Sequence, residues 1–274
     1  MSQLQEVADA VAQAYRDAGY TLAQAAVLPQ TIQDGVVTIT VREGQLERLE
    51  LAAIPSPRST PGVAQTGLQS TLRVGEPVNT RELEQTLLLI NNLPGGGRAS
   101  AEIAPGAQPN STVVSASYAA APRLAGQVIA DSHGNRFTGR GRAHVSAALA
   151  EPFGAGDQFS VYGLTSGRHL QYLQGGYRLP LGLRGGLGFS ASKLRYELCC
   201  QAPGQESKGD AQTLSLEASY QALVGRGLSL VWFTSLDARE FESRRTGLAP
   251  SNRDVDALSV GARGYWVGAA QNSW

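Results

Sequence analysis

From residue 124 to residue 267 the chain alternates. Starting at Phe137, one parity carries Phe137, Gly139, Gly141, Ala143, Val145, Ala147 and Leu149. The other carries Thr138, Arg140, Arg142, His144, Ser146 and Ala148. A period of two sends such sets to opposite faces of a strand. The pattern returns at 213–222, with Leu214, Leu216, Ala218, Tyr220 and Ala222 against Thr213, Ser215, Glu217, Ser219 and Gln221, and again at 173–179 and 258–266. Segments of roughly 10 residues suit a tilted strand that crosses a bilayer. Alternation that is weak per strand and strong in sum predicts an antiparallel transmembrane barrel with an apolar outer face and a polar inner one.

The first 120 residues follow other periods. Leu4, Val7, Ala8, Val11, Ala14 and Tyr15 share a helical face, and Gly19 is placed to end that helix. Strands are expected at 20–28, 36–41 and 46–54, separated by Pro29, Asp34-Gly35 and Glu43-Gly44. After a Pro/Ser-rich loop at 55–61, helices are expected at 62–72 and 81–92. Thr80 is the N-cap of the second, and Leu83, Leu87, Leu88 and Ile90 form its apolar face. Gly95-Gly96-Gly97 reads as a flexible turn into strands at 98–104 and 112–118. Residues 45–120 thus spell strand, helix, helix, strand, strand, and residues 4–44 spell the last three elements of the same unit, a weak repeat of about 70 residues.

Composition supports the barrel. Charged residues make up 17% and there are 32 glycines in 274 residues, against usual values of about 25% and about 7%. Lys plus Arg and Asp plus Glu are both 23, so nothing indicates a nucleic-acid partner. No apolar run reaches the ~18 residues of a spanning helix, and no signal peptide follows Met1.

The run Gly19-Tyr20, Leu28-Pro29-Gln30, Asp34-Gly35 and Glu43-Gly44 resembles the first POTRA domain of two-partner secretion transporters, the TpsB (ShlB-FhaC-HecB-like) branch of the Omp85 superfamily. Residues 75–79 (Gly-Glu-Pro-Val-Asn) and 91–95 (Asn-Asn-Leu-Pro-Gly) resemble the second POTRA domain. Residues 131–140 resemble the start of the family's barrel, and 151–157 (Glu-Pro-Phe-Gly-Ala-Gly-Asp) its first periplasmic turn. The fold expected is α+β POTRA modules followed by an all-β antiparallel barrel, partial, with about eight strands. The domains expected are a first POTRA at 1–44 lacking its opening strand, a second at 45–122, and the N-terminal half of an outer-membrane barrel at 123–274. Missing pieces at both ends make a fragment the expectation. Ala262-Arg263-Gly264-Tyr265 looks like the family's Val-Arg-Gly-Tyr loop motif, but falls inside a strand pattern and reads as strand.

The resemblance implies secretion of a large haemolysin-, haemagglutinin- or adhesin-type exoprotein, with the POTRA part in the periplasm of a Gram-negative bacterium. The other partners it implies are outer-membrane lipid and lipopolysaccharide. An unfolded client would pair with an exposed sheet edge: Arg98, Ala99, Ser100, Ala101, Glu102 and Ile103 first, the strand at 20–28 second. Arg140, Arg142, His144, Gln174, Arg178, Glu217 and Gln221 would line the pore, where polar groups meet a peptide backbone that lipid leaves unsatisfied. Tyr172, Tyr177, Tyr220, Trp232 and Trp266 are candidate interface aromatics. No enzyme, cofactor or metal site is expected. Gly95-Gly96-Gly97 lacks the Gly-Lys-Ser/Thr of a phosphate loop, Asp131-Ser132-His133 are contiguous and so poorly placed for a triad, and three histidines without clustered carboxylates make a poor metal site. Cys199 and Cys200 are adjacent and staple no distant elements. The alternatives are an Omp85-type assembly factor, a small self-closed barrel and a non-functional remnant.

Overall fold

The computed structural model describes residues 2–32, 35–52, 62–167, 169–198 and 207–268. Cys199 and Cys200 lie outside them. Two units emerge, one drawn from residues 1–120, the other comprising the loop at 92–96 and residues from 121 onward.

The first unit opens with α1 (Ser2–Asp17). Ala8 and Ala12 are its buried residues, Leu4, Val11 and Tyr15 are half-buried beside them, and Val7 and Ala14 face solvent. The stripe is therefore narrower than expected, with Ala12 in place of Val7 and Ala14. Gly19, at φ 99°, closes the helix: its N–H donates to the Arg16 carbonyl and the Tyr20 N–H to that of Tyr15, both at 2.9 Å, the paired bonds of a left-handed C-terminal cap.

β1 (Gln24–Ala26) and β2 (Thr40–Arg42) form a short antiparallel pair. Both are shorter than the strands expected at 20–28 and 36–41. Residues 20–23 are spent on a turn, with the Ala23 N–H on the Tyr20 carbonyl. At the far end the Gln30 side chain takes over from the backbone ladder: its amide N–H donates to the Thr38 carbonyl and its oxygen accepts from the Thr38 N–H, both at 2.8 Å.

β3 (Gln45–Ala52), α2 (Gly62–Thr71), α3 (Thr80–Asn91), β4 (Arg98–Pro105) and β5 (Ser111–Ala119) follow. β5 is central, parallel to β3 and antiparallel to β4. Leu46, Val78, Ile90 and Val114 are completely buried. The buried face of α3 is Leu83, Thr86, Leu89 and Ile90, which displaces Leu87 and Leu88 from the expected set. Thr86 is tolerated there because its hydroxyl meets that of Thr71 at 2.8 Å. The N-cap is Asn79, not Thr80: Asn79 Oδ1 accepts from the N–H groups of Arg81 and Glu82 at 3.1 and 3.2 Å, while the Thr80 hydroxyl donates to the Gly19 carbonyl.

The second unit is an eight-stranded antiparallel meander: β6 (Leu124–Asp131), β7 (Arg142–Ala150), β8 (Gln158–Thr165), β9 (Leu170–Leu181), β10 (Gly185–Leu198), β11 (Ser207–Gly225), β12 (Leu228–Arg245) and β13 (Ser251–Trp266). Each strand pairs with the next, and β6 and β13 are the two edges, so the sheet is not closed. The alternating run starts later than expected. Residues 132–141 form a loop held by Asp131, which accepts from the His133 N–H, and Asn135, which accepts from the Phe137 N–H, as short carboxylate and amide side chains do in turns. β11 to β13 run to 19, 18 and 16 residues, far beyond the roughly 10 that a bilayer demands. A bulge between Gln221 and Leu223 shifts the parity, so Leu223 rather than Ala222 continues the outward set.

Gly95 is not a flexible hinge. Its N–H donates to the Gly156 carbonyl at 2.9 Å, and a Cβ there would overlap the Asp157 carbonyl. The backbone of the 92–96 loop lies so close to the 151–157 turn that only glycine fits.

Candidate client-binding edge and membrane sheet

β4 hydrogen-bonds to β5 alone. In an antiparallel pair, successive residues direct their N–H and C=O groups alternately at the partner and away from it. The direction is fixed here by Asn91, the last residue of α3. Its Oδ1 accepts from the Ala99 N–H at 2.6 Å and its Nδ2 donates to the Ala99 carbonyl at 3.2 Å. Ala99, Ala101, Ile103 and Pro105 therefore face the open edge, while Arg98, Ser100 and Glu102 bond to β5. Of the six expected client-contacting residues, all lie on this edge strand, but only the odd-numbered ones offer backbone groups to it. The other candidate edge, at 20–28, is reduced to the three residues of β1.

The solvent face of this sheet is polar. Ser100 and Ser117 hydroxyls meet at 2.8 Å, and Glu50 accepts from Ser115 at 2.9 Å and from Arg48 at 2.7 Å. Glu47 accepts from the Ser111 hydroxyl at 2.5 Å and from the Ala107 N–H at 2.8 Å, pinning the β4–β5 hairpin to β3. The Ser111 bond, with the backbone N–H groups behind it, holds the Glu47 carboxyl below its ordinary range. Arg48 and Ser115 do the same for Glu50.

The eight-stranded sheet has two unlike faces. One paired row runs through every strand: Leu124, Leu149, Phe159, Tyr177, Phe189, Leu216, Leu236 and Leu258. Phe189, Leu216, Leu236 and Leu258 are 50, 47, 54 and 68% exposed. A contiguous apolar surface of this extent is not left to water. A second row, Val128, Val145, Gly163, Leu173, Lys193, Gln212, Glu240 and Asp254, starts apolar and turns polar at β10. Hydrogen-bonded rows climb out of the apolar band in this way when strands tilt, as barrel strands must. Tyr220 pairs with Trp232 on the apolar face, and Trp266 shares it. Tyr172 does not: it lies on the opposite face, where its hydroxyl donates to Gln174 at 3.1 Å.

That opposite face carries Arg142, His144, Gln174, Arg178 and Glu217 in register, with Arg178 and Glu217 flanking Gly188 in one row. Arg140 is outside it, in the loop before β7. The Gln221 amide is turned back onto the β11–β12 hairpin, donating to the Leu223 carbonyl and to Ser229. A cluster not foreseen from the sequence joins β6, β7 and β8 on this face. Asp131 accepts from Arg142 at 2.9 Å and meets His144 Nε2 at 3.1 Å, and His144 Nδ1 meets the Tyr162 hydroxyl at 2.9 Å. A carboxylate only accepts, so Nε2 donates to Asp131. Period-two parity alone puts Asp131 and His144 on one face, but their meeting depends on register, which the sequence does not print.

Two family models match parts of the chain. Residues 1–44 match the ShlB-type POTRA domain, and residues 110–244 match the haemolysin secretion/activation protein ShlB/FhaC/HecB. Both models describe ShlB-type proteins, and the chain is similar to them over those residues. It is similar to the outer membrane transporter CdiB of Dickeya dadantii, 27% identical over 98% of this chain and 49% of the relative. It is also similar to the heme/hemopexin transporter protein HuxB of Haemophilus influenzae, 24% identical over 97% of this chain and 47% of the relative. The solved structure of CdiB from Escherichia coli shares the fold, with a TM-score of 0.77 at 24% identity, covering 98% of this chain and 51% of that one. The chain spans about half the length of the curated relatives it matches. These relatives are outer membrane transporters, and a sheet with one apolar face and one polar face bearing Arg178 and Glu217 suits that setting.

Proposed function

We propose that this chain carries the client-capturing and membrane-entering half of a two-partner secretion translocator. Residues 1–44 and 45–122 act as its POTRA modules and residues 123–274 as the first part of its barrel. The client is a large exoprotein that arrives unfolded. Its backbone adds to the outer edge of β4, at Arg98 to Ile103, and passes along the wall bearing Arg142, His144, Gln174, Arg178 and Glu217, while the opposite face contacts lipid and, in the outer leaflet, lipopolysaccharide. The observation that carries this reading is the open β4 edge in a chain whose other sheet has one lipid-suited face and one polar face. Edge pairing binds through main-chain groups and so accepts many sequences, which suits a long unfolded client.

The test is genetic and biochemical. Deleting the gene should remove one large protein from the medium, and the intact gene should restore it. An unchanged set of secreted proteins overturns the proposal. Loss of many outer-membrane barrels instead would favour an assembly factor of the wider superfamily. Ala101→Pro, which removes an outward N–H from the β4 edge, should lower secretion severalfold with the barrel still inserted. Full secretion by that variant removes β4 as the capture site.

A further inference from the structure

We infer that the β4 edge is a bounded docking window, two residues wide, and that the Asn91 side chain sets its register. This rests on the reading of β4 as the capture edge. Four residues of β4 turn their backbone groups outward: Ala99, Ala101, Ile103 and Pro105. Asn91 already occupies the first, satisfying the Ala99 N–H and carbonyl together at 2.6 and 3.2 Å. An amide side chain presents one donor and one acceptor side by side, as a strand residue does, so it fills a full rung. The chain uses the same device elsewhere, where Gln30 bonds both groups of Thr38. At the other end Pro105 has no N–H to offer. Ala101 and Ile103 remain, and among the described residues nothing bonds their outward groups. The open edge is thus roughly 10 Å long.

The occupant is an extended segment of the secreted client. It gains two full rungs from Ala101 and Ile103 and one carbonyl from Pro105. Its side chains alternate between the side of Ile103, which is apolar and 38% exposed, and the polar side of Ser100 and Glu102. A segment alternating apolar and polar residues therefore fits, and Asn91 prevents it from sliding toward α3.

Residue-resolved amide hydrogen exchange on the whole chain in lipid nanodiscs tests this, with and without a short synthetic peptide of alternating valine and threonine. In the free protein the Ala99 amide should exchange slowly and those of Ala101 and Ile103 fast. The peptide should slow the latter two by about 10-fold or more. Asn91→Ala should move Ala99 into the fast class and tighten peptide binding about fivefold, the worth of one further hydrogen-bonded rung. A peptide that protects no β4 amide overturns the capture edge itself. Protection of Ala101 and Ile103 with fast Ala99 exchange in the unsubstituted protein, or with unchanged affinity in Asn91→Ala, leaves the edge standing and overturns the register. If Asn91→Ala loosens β4 as a whole, seen as fast exchange at Ser100 and Glu102, then Asn91→Asp carries the test. It keeps the acceptor for the Ala99 N–H and frees the Ala99 carbonyl, so a smaller gain in affinity is expected and no gain overturns the inference.

Discussion

In the three-stranded sheet, β5 buries Val114 and Ala116 on one face, and Leu46 of β3 and Ala99 of β4 share it. In the eight-stranded sheet Pro180 and Val224 are buried, while Leu216, Leu236, Val260 and Trp266 stand outward, about half exposed or more. The first sheet packs its apolar residues inside the protein, whereas the second turns them outward on one face, as a membrane-facing sheet does. The difference teaches where each sheet is vulnerable. The first fails when its interior is hollowed, the second when its exterior is charged.

The sharpest way to test that contrast is a cavity. Ile90 is completely buried, so Ile90→Ala should cost about 2–5 kcal/mol and expose the first unit to limited proteolysis, with the eight-stranded sheet still resistant. If both parts became labile together, the separation drawn here would be wrong. A charge should do the reverse. Leu216→Arg on the apolar face should cost about 2–4 kcal/mol near the bilayer midplane and reduce the inserted fraction, while Glu217→Arg one residue away should insert normally. Equal damage at both positions would erase the assignment of faces. The smallest effect is the response of the three-stranded sheet to acid. A carboxyl whose folded pKa lies below its unfolded one stabilises the fold above the unfolded value, and that contribution is lost as pH falls through the folded value. Glu47 is such a group, so acid should lower the unfolding midpoint of the first unit, and Glu47→Gln should flatten that response. An unaltered acid response in Glu47→Gln would remove the Ser111 contact from the account.

The eight strands were legible because one face of the sheet is largely apolar and the other largely polar, and sequence records such alternation directly. Helix α3 was legible as a helix but not by its face: Leu87 and Leu88 are as apolar as Leu89, and only packing tells them apart. Thr80 and Asn79 are both good caps, and the choice fell to Asn79 because Thr80 was needed by Gly19. β1 and β2 were over-extended because Gln30 replaces a stretch of backbone ladder, which no propensity reveals. The Asp131–His144–Tyr162 cluster and the outward direction of Ala99 share a cause. Both follow from which residue stands opposite which, a property of paired strands that neither strand holds alone.

The narrowness of the β4 window has a kinetic side. A partner held by two rungs leaves quickly, since dissociation rate is where most differences in affinity between related complexes are expressed. Each stay is brief, and the next segment of a long chain is tethered nearby at high local concentration. Release and recapture then follow one another along the client, and a short hold with frequent exchange moves a chain onward where a long edge would have stalled it.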